Sequence, residues 1–235
     1  MFFVLGASAR PALGCGVSAS GIASCSLLEH IEQNRLRWAA GVSSVYTSTS
    51  LRFSGGLRAD ETRWATLAML AYLPTPSLVL QAGAGVSIDG SLTLPEGRHD
   101  VSPGPIAALG LDWRVWDDGR WFALLTSALS VSAARTRRAG GAAVGYQALD
   151  VRLGGQFGVE LAELLRPYVL ARVFGGPVFW RHAGEAVTGT DTHHFQVGGG
   201  LALGLGRGLG GMWNVFAEAV PLGERALAAG VAAVF

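Results

Sequence analysis

The sequence has few charged residues, few cysteines and no excess of either charge. Asp, Glu, Lys and Arg make up only 15% of its 235 residues, and the formal net charge is +1. A dedicated nucleic-acid-binding protein would carry a basic face or stripe, so this balance argues against that function. The two cysteines, Cys15 and Cys25, have no pair of histidines nearby and make a poor metal site, so we expect neither a metal nor a cofactor. They either form a small disulfide in an oxidising compartment or stay reduced.

Glycine and apolar residues, in contrast, are abundant. Glycine accounts for 34 residues and 50% of the chain is hydrophobic, which is typical neither of a disordered segment nor of an ordinary soluble surface. Residues 64–88 contain no charge and are long enough for a membrane-spanning helix. Pro74 and Pro76 would break such a helix, however, and both halves show a period of two. Strands are therefore favoured over a helix.

Alternation of this kind recurs in ten segments of the chain. In residues 144–161, for example, Val151 and Leu153 share one face, and Arg152 and Gly154 share the other. A soluble sandwich also alternates, but here the polar face is rich in glycine and alanine, which suits the crowded interior of a narrow closed barrel. The ten predicted strands span residues 42–54, 63–73, 78–91, 103–116, 121–134, 144–161, 167–181, 192–205, 212–220 and 225–235.

The last two predicted strands lie on either side of a short turn, and the sequence ends on Phe235. In this respect the chain resembles the bacterial outer-membrane β-barrel proteins, whose last strand carries a C-terminal aromatic residue used in assembly. The resemblance implies an all-β fold, a closed antiparallel up-and-down transmembrane β-barrel, located in the bacterial outer membrane. It also implies that the last strand contacts the assembly machinery.

The lengths of the predicted connections fit this class, in which short periplasmic turns alternate with longer external loops. The short links are residues 74–77, 117–120, 162–166 and 207–211, and the longer ones are residues 55–62, 92–102, 135–143 and 182–191. Only the last link, residues 221–224, is short on the external side. Ten strands place both termini in the periplasm, and we expect a monomer. Eight strands remain possible if a weak segment does not span the membrane.

Residues 42–235 are expected to form the barrel as one domain, preceded by a lead-in over residues 1–41. Residues 1–14 are apolar with one arginine and resemble the remnant of a secretory signal. Residues 12–15 loosely resemble a lipoprotein cleavage site, so lipidation of Cys15 is an alternative to a plain secretory signal.

Charged residues within the predicted strands fall on the face that points into the lumen. A charge in a narrow lumen is tolerable only when it is paired or hydrated. An ion-pair network would fill and brace the lumen, so we expect a small barrel of structural or narrow-pore type without enzymatic activity. The residues of this predicted lumen network are Asp112, Arg114, Asp150, Arg152, Glu160, Arg172 and Glu218.

Two other functions compete with this one. Asp191, His193 and His194 lie beside a predicted external loop and could serve an outer-membrane hydrolase, because a histidine near neutral pH can act as a base. A solvated loop end explains the same three residues without catalysis. A soluble, lipocalin-like binding barrel would instead place large apolar side chains in its interior.

Arg135, Arg137 and Arg138 form a basic segment in a predicted external loop. Cationic loops can meet the phosphates of lipopolysaccharide, whereas the simpler interpretation is a solvated run of charges. The expected partners are therefore outer-membrane lipid, lipopolysaccharide through these arginines, and no nucleic acid.

Overall fold

The structure, a computed structural model, describes residues 37–161, 165–208 and 211–235. These residues form thirteen β-strands and one 3-10 turn, Ser54–Gly56. Among them, no helix is long and apolar enough to cross a membrane. In chain order the strands are β1 (Trp38–Phe53), β2 (Arg58–Thr75), β3 (Leu78–Leu94), β4 (Gly97–Val101), β5 (Gly104–Asp117), β6 (Trp121–Arg138), β7 (Val144–Val159), β8 (Leu165–Gly175), β9 (Val178–His182), β10 (Glu185–Asp191), β11 (Phe195–Gly208), β12 (Gly211–Gly223) and β13 (Arg225–Val234).

Ten of the strands form a closed ring. In the order β1, β2, β3, β5, β6, β7, β8, β11, β12 and β13, each strand pairs with the next in antiparallel orientation, and β13 pairs back to β1. The closing pair begins with Ala39 opposite Val234. Below it, the Trp38 N–H donates to the Phe235 carbonyl at 3.2 Å, and the Phe235 N–H donates to the Trp38 carbonyl at 2.9 Å. The predicted ten-stranded, antiparallel up-and-down barrel is confirmed.

Two short turns mark one end of the barrel, which we call the lower end. Residues 76–77 connect β2 to β3, and residues 118–120 connect β5 to β6, both within the predicted short links. The uncharged residues 64–88 form the lower parts of β2 and β3, so the prediction of strands rather than a helix is confirmed. The tips of the hairpins β1–β2 and β3–β4 lie at the opposite, upper end.

The upper hairpins are built differently from the prediction, because most of the expected loops are strands. β4, β9 and β10 continue the lines of β5, β8 and β11 beyond short breaks, and they pair with their neighbours. The predicted loops over residues 92–102 and 182–191 therefore shrink to tight turns at residues 95–96 and 183–184. Gly184, with φ of 88°, adopts the left-handed conformation that such a turn requires.

The ring narrows at the upper end. β13 pairs with β1 only as far as Ser48, and above that point β1 pairs with β10, with Leu51 opposite Asp191 and Phe53 opposite Gly189. The hairpin β12–β13 thus stops below this junction. Above it the ring consists of eight strands, β1, β2, β3, β4, β6, β7, β9 and β10. The ten-stranded barrel therefore carries an eight-stranded extension.

Large apolar side chains cover the outer face of the ring. On β8, Val169 and Val173 are 61% and 59% exposed, whereas the alternate residues Leu170 and Arg172 point inward and are 3% and 5% exposed. The same alternation on the other strands gives an apolar belt of the kind that faces lipid in a transmembrane barrel. A soluble, lipocalin-like barrel would turn such side chains inward, so the structure argues against that alternative.

The first strand begins at Trp38, before its predicted start at residue 42. The alternation already operates there, since Trp38 is 43% exposed and Ala39 is fully buried. The predicted signal remnant, together with Cys15 and Cys25, lies outside the described residues.

Candidate functional site

The charged residues predicted for the lumen all point inward. Asp112, Arg172 and Glu218 are 1%, 5% and 7% exposed, whereas their outward neighbours Trp113 and Val173 are 50% and 59% exposed. In these strands the residues that point inward are therefore the predicted ones. A charged side chain facing lipid would cost free energy, which explains this choice of face. For the other four predicted residues, the exposed fraction of the side chain is 9% for Arg114, 21% for Asp150, 20% for Arg152 and 11% for Glu160.

An ion pair joins β8 and β12 across the inner face of β11, which lies between them. The Arg172 guanidinium donates from Nη1 to Glu218 Oε1 at 2.8 Å and from Nη2 to Glu218 Oε2 at 3.1 Å. The Tyr168 hydroxyl donates to the same Oε2 at 3.1 Å. Two parallel N–H···O bonds to one carboxylate fix both side chains in position, and this is the strongest form of such a pair.

A second group of charges lies above this pair, around Arg152. Its guanidinium donates to the Asp150 carboxylate and lies 3.0 Å from Glu224 Oε2. Gln196 Nε2 donates to the same Glu224 oxygen at 2.8 Å, and Arg152 sits 5.2 Å from the centroid of the Phe174 ring. Glu224, the residue at the tip of the β12–β13 hairpin, is only 5% exposed. From the sequence, Glu224 was expected in an external turn, residues 221–224, and was not among the predicted lumen residues.

Glu61 and Tyr146 extend this group toward the upper end, and neither was among the lumen residues predicted from the sequence. The Tyr146 hydroxyl donates to Glu61 Oε2 at 2.7 Å, and Arg63 Nε lies 3.5 Å from Glu61 Oε1. Arg63 also donates to Ser132 Oγ at 3.0 Å. Glu61 belonged to a predicted loop, residues 55–62, but lies on β2. Glu61 is two residues from both Ala59 and Arg63, and this spacing could have placed it on the inner face of a strand.

These groups surround a small polar cavity of about 120 Å³ inside the barrel. Asp191 borders it and accepts a hydrogen bond from Thr49 Oγ1 at 2.9 Å. In the part of the chain that the structure describes, no group of three or more His, Cys, Asp or Glu side chains has an arrangement that could hold a metal ion. The charged residues that line the cavity are Glu61, Arg63, Asp150, Arg152, Asp191 and Glu224.

An apolar cluster closes the space above the cavity, and we call it the upper plug. Phe53 and Trp180 pack with their ring centroids 5.4 Å apart. The Trp180 indole N–H donates to Thr136 Oγ1 at 2.7 Å, so the buried ring has no unmet donor. The plug consists of Leu51, Phe53, Ala59, Leu92, Leu94, Val101, Tyr146, Val178 and Trp180.

The lower half of the lumen is also occupied. Gln81 donates to the Asp112 carboxylate, and Arg114 Nη1 donates to Asp117 Oδ2 at 2.7 Å. Arg166 Nη2 lies 3.4 Å from Glu160 Oε1. Two further apolar clusters pack beside these polar contacts, one from β1, β2, β3, β5 and β13 and one from β6, β8, β11, β12 and β13.

The structure does not bring Asp191, His193 and His194 together. Asp191 faces the cavity, whereas His193 packs against the Phe195 ring at 6.3 Å between centroids. His194 lies with Nδ1 3.2 Å from the Phe174 carbonyl oxygen. No described hydrogen bond or ion pair links any two of these three residues, so they do not form a carboxylate–histidine constellation here.

A different histidine pair lies on the upper extension. His99 is 8% exposed and packs edge-on against Trp180, with 5.2 Å between ring centroids. His182 lies 6.0 Å from His99 and its Nε2 is 3.3 Å from Glu96 Oε1. Burial, and then the neighbouring His182 and Arg138, lower the pKa of His99 below its usual value. Neither histidine was a candidate site residue from the sequence.

The three predicted basic residues are on the end of β6, although they were predicted to lie in a loop. Arg135 and Arg137 point outward and are exposed. Arg138 is exposed too, and its Nη2 donates to the Glu96 carbonyl at 2.9 Å. β6 and β7 remain paired above the apolar belt, so these arginines lie on a strand instead of in a loop.

No protein-family model and no curated protein sequence matches the chain. Among solved structures, the translocator domain of the autotransporter NalP from Neisseria meningitidis superposes with a TM-score of 0.52 and 11% identity, covering 89% of this chain and 92% of that one. The chain has the fold of a bacterial outer-membrane β-barrel. Lower scores, both 0.44, are found for the outer membrane protease OmpT from Escherichia coli (9% identity, 84% and 94% covered) and the transport unit of the autotransporter AIDA-I from Escherichia coli (10% identity, 87% and 92% covered).

In this barrel the interior charges are directed at one another. Arg172 and Glu218 satisfy each other, and Arg152 binds two carboxylates at once. Such pairs hold the strands around them in position.

Proposed function

We propose that the protein is a small structural barrel of the bacterial outer membrane whose lumen is closed. The observation that carries this proposal is the occupation of the lumen at three successive levels. The Arg172–Glu218 pair lies on the inner face of β8, β11 and β12, the Arg152 group lies above it, and the upper plug lies above both. Of the two types expected from the sequence, structural and narrow-pore, this arrangement favours the structural one.

Conduction would need a continuous hydrated path, and the upper plug opposes one. Its side chains are almost fully buried, with Leu92 and Tyr146 at 0% and Leu51 at 1% exposed. Hydrophobic constrictions of this kind stop ions because water does not wet them. The polar cavity below the plug is a pocket of about 120 Å³, small for anything larger than a few water molecules.

Single-channel recording in planar bilayers tests this proposal. The wild-type protein should show no stable conductance. The double variant Phe53→Ala/Trp180→Ala removes two aromatic rings of the upper plug and should produce stepwise conductance. The variant Phe179→Ala, which removes a lipid-facing ring on the same strand as Trp180, is the matched control and should stay silent. Stable channels in the wild-type protein would contradict a closed lumen.

The orientation is a second part of the proposal. We place the lower end, with both termini, in the periplasm and the upper end outside the cell, because short turns are periplasmic in such barrels. A variant with Cys15 and Cys25 replaced by serine allows single cysteines to be introduced. Ala142→Cys at the upper end should react with a membrane-impermeant thiol reagent in intact cells, and Arg120→Cys at the lower end should not. The opposite pattern would reverse the orientation.

We further propose that the barrel has no enzymatic turnover. Asp191, His193 and His194 make separate contacts, which supports a structural role for them. The hydrolase alternative can be tested directly. If cells expressing the protein hydrolyse a surface lipid or peptide, and substitution of all three residues by alanine abolishes that hydrolysis, the protein is an enzyme.

The partners follow from the same placement. We propose that the belt contacts membrane lipid, that the strand ending at Phe235 contacts the assembly machinery, and that the protein is a monomer. Arg135, Arg137 and Arg138 would face the phosphates of lipopolysaccharide in the outer leaflet, where a guanidinium binds phosphate well.

A further inference from the structure

A groove of about 550 Å³ runs along the outer wall of the barrel, near the upper edge of the apolar belt. Alanines at positions 107 and 133 form part of its floor, while larger side chains such as Val131 and Phe179 stand beside it. A concave apolar surface that faces lipid fits an acyl chain better than a flat one does, because more of the chain is in contact. Its outward-facing lining includes Ala107, Val131, Ala133, Gln147, Leu149 and Phe179.

Two arginines lie directly above this groove. Arg135 is two residues above Ala133 on β6, and Arg181 is two residues above Phe179 on β9, so each shares the outward face of the groove residue below it. Arg135 is opposite Gly145, and the pairing of Tyr146 with Trp180 places Arg181 on the other side of the same glycine.

Gly145 leaves an open space between the positions of Arg135 and Arg181. A Cβ atom at this position would meet no heavy atom within 4 Å. The backbones of Arg135 and Arg181 are separated by two strand spacings, about 10 Å, a distance that two arginine side chains can bridge from both sides. The gap is therefore a place where one anionic group could be held by two cations.

The arginines at this gap differ from their basic neighbours. Arg137 is opposite Asp100 across the β4–β6 pair, and Arg138 donates to the Glu96 carbonyl. Arg135 and Arg181 have no side-chain hydrogen bond or ion pair among the described residues. Their charge thus remains available for a ligand.

We propose that the groove and the arginine gap together bind the lipid A part of lipopolysaccharide, with an acyl chain in the groove and a phosphate between Arg135 and Arg181. A phosphate monoester carries a charge near −2 at neutral pH, which two arginines match, whereas the diester of a glycerophospholipid carries only −1. This inference deepens the proposed contact with lipopolysaccharide and rests on the upper end facing the outer leaflet. It replaces the run Arg135, Arg137 and Arg138 by one defined site.

Binding is measured with purified full-length protein in detergent, titrated with lipid A and, separately, with phosphatidylglycerol. The double variant Arg135→Ala/Arg181→Ala should weaken lipid A binding at least tenfold. Ala133→Phe, which fills the groove without changing charge, should weaken it at least fivefold. The matched controls are Arg58→Ala, an exposed arginine at the same end, and Ala171→Phe, a lipid-facing alanine on β8, and each should change binding less than twofold.

Each alternative result overturns a defined part of the inference. Equal loss in Arg58→Ala would mean that charge alone attracts the lipid, and no loss in Ala133→Phe would exclude the groove. Equal affinity for phosphatidylglycerol would exclude lipid A as the specific ligand. The titration uses isolated protein and does not depend on orientation in the membrane. The lipid-binding site and the proposed orientation can therefore be refuted separately, the first by the titration and the second by cysteine labelling in cells.

Discussion

The substitution Arg172→Ala should cause a large loss of stability, because it leaves a carboxylate uncompensated inside the barrel. The side chains of Arg172 and Glu218 are 4% and 6% exposed, and two hydrogen bonds of 2.8 and 3.1 Å join them. After the substitution Glu218 would keep the hydrogen bond from Tyr168 but lose its bidentate partner. Little water reaches this depth to replace the lost guanidinium.

The expected magnitude follows from burial. Removing one member of a buried ion pair costs about 3–5 kcal/mol. We expect the lower part of this range, since Tyr168 still donates to Glu218. With a urea dependence of roughly 1–3 kcal/mol per molar, a cost of about 3 kcal/mol moves the unfolding midpoint by on the order of 1–3 M. Arg137 is exposed, and Arg137→Ala should change stability by less than about 0.5 kcal/mol.

Urea titrations in lipid vesicles, followed by tryptophan fluorescence, would measure both variants. A cycle with Arg172→Met, Glu218→Gln and the double variant isolates the pair, because the double variant should be more stable than the sum of the two single effects predicts. Equal and small shifts for Arg172→Ala and Arg137→Ala would refute the argument that the lumen pair is dry and braces the barrel.

Two further predictions concern other parts of the barrel. Burial lowers the pKa of His99, so the unfolded chain binds a proton at this residue more readily than the folded chain does. The free energy of unfolding should therefore fall as the pH drops through and below about 6.5. In a pH titration of the unfolding midpoint, His99→Asn should remove the decrease that His99 causes. Gly158→Ala should cost about 1–3 kcal/mol in urea unfolding, because the new Cβ would collide with the Phe122 ring and lie 2.7 Å from the Pro167 carbonyl oxygen. Gly145→Ala, where the Cβ meets nothing within 4 Å, should be tolerated, and equal losses in both variants would contradict the steric argument.

The direction of each predicted lumen side chain could be obtained from the sequence alone. A strand in contact with lipid has only one acceptable phase, since a slip by one residue would turn Asp150 and Arg152 into the membrane and Val151 into the lumen. The same constraint gives the number of strands, because ten segments alternate strongly enough to be counted. Local energetics therefore explains why this part of the fold was predictable.

The partners across the lumen were not predictable in the same way. Arg172 lies on β8 and Glu218 on β12, with β11 between them, so their contact depends on the register of two strand pairs. The register shifts in the β11–β12 pair change which residues are level with each other. A period of two fixes which way a side chain points but not its height along the barrel axis.

The upper extension was missed because the constraint from lipid ends at the belt. In β2, Asp60 is exposed on the outer face and Glu61 is buried on the inner one, so polar residues occupy both faces and the contrast that identifies a strand is lost. Glu61 therefore appeared as part of a loop, residues 55–62. Only the long-range pairing of the backbone, which the local sequence does not report, turns these segments into strands.

Glu224 shows how the length of one hairpin determines the interior above it. β1 continues to Phe53, but β13 leaves it at Ser48, so the edge of β1 would be unpaired above the tip of the β12–β13 hairpin. β10 pairs with that edge of β1, beginning at Asp191, so the edge is no longer unpaired. This pairing closes the ring with eight strands above the junction instead of ten. The hairpin tip then lies beneath the junction instead of in solvent. A carboxylate at such a tip must be neutralised, and Arg152 of β7 supplies the charge.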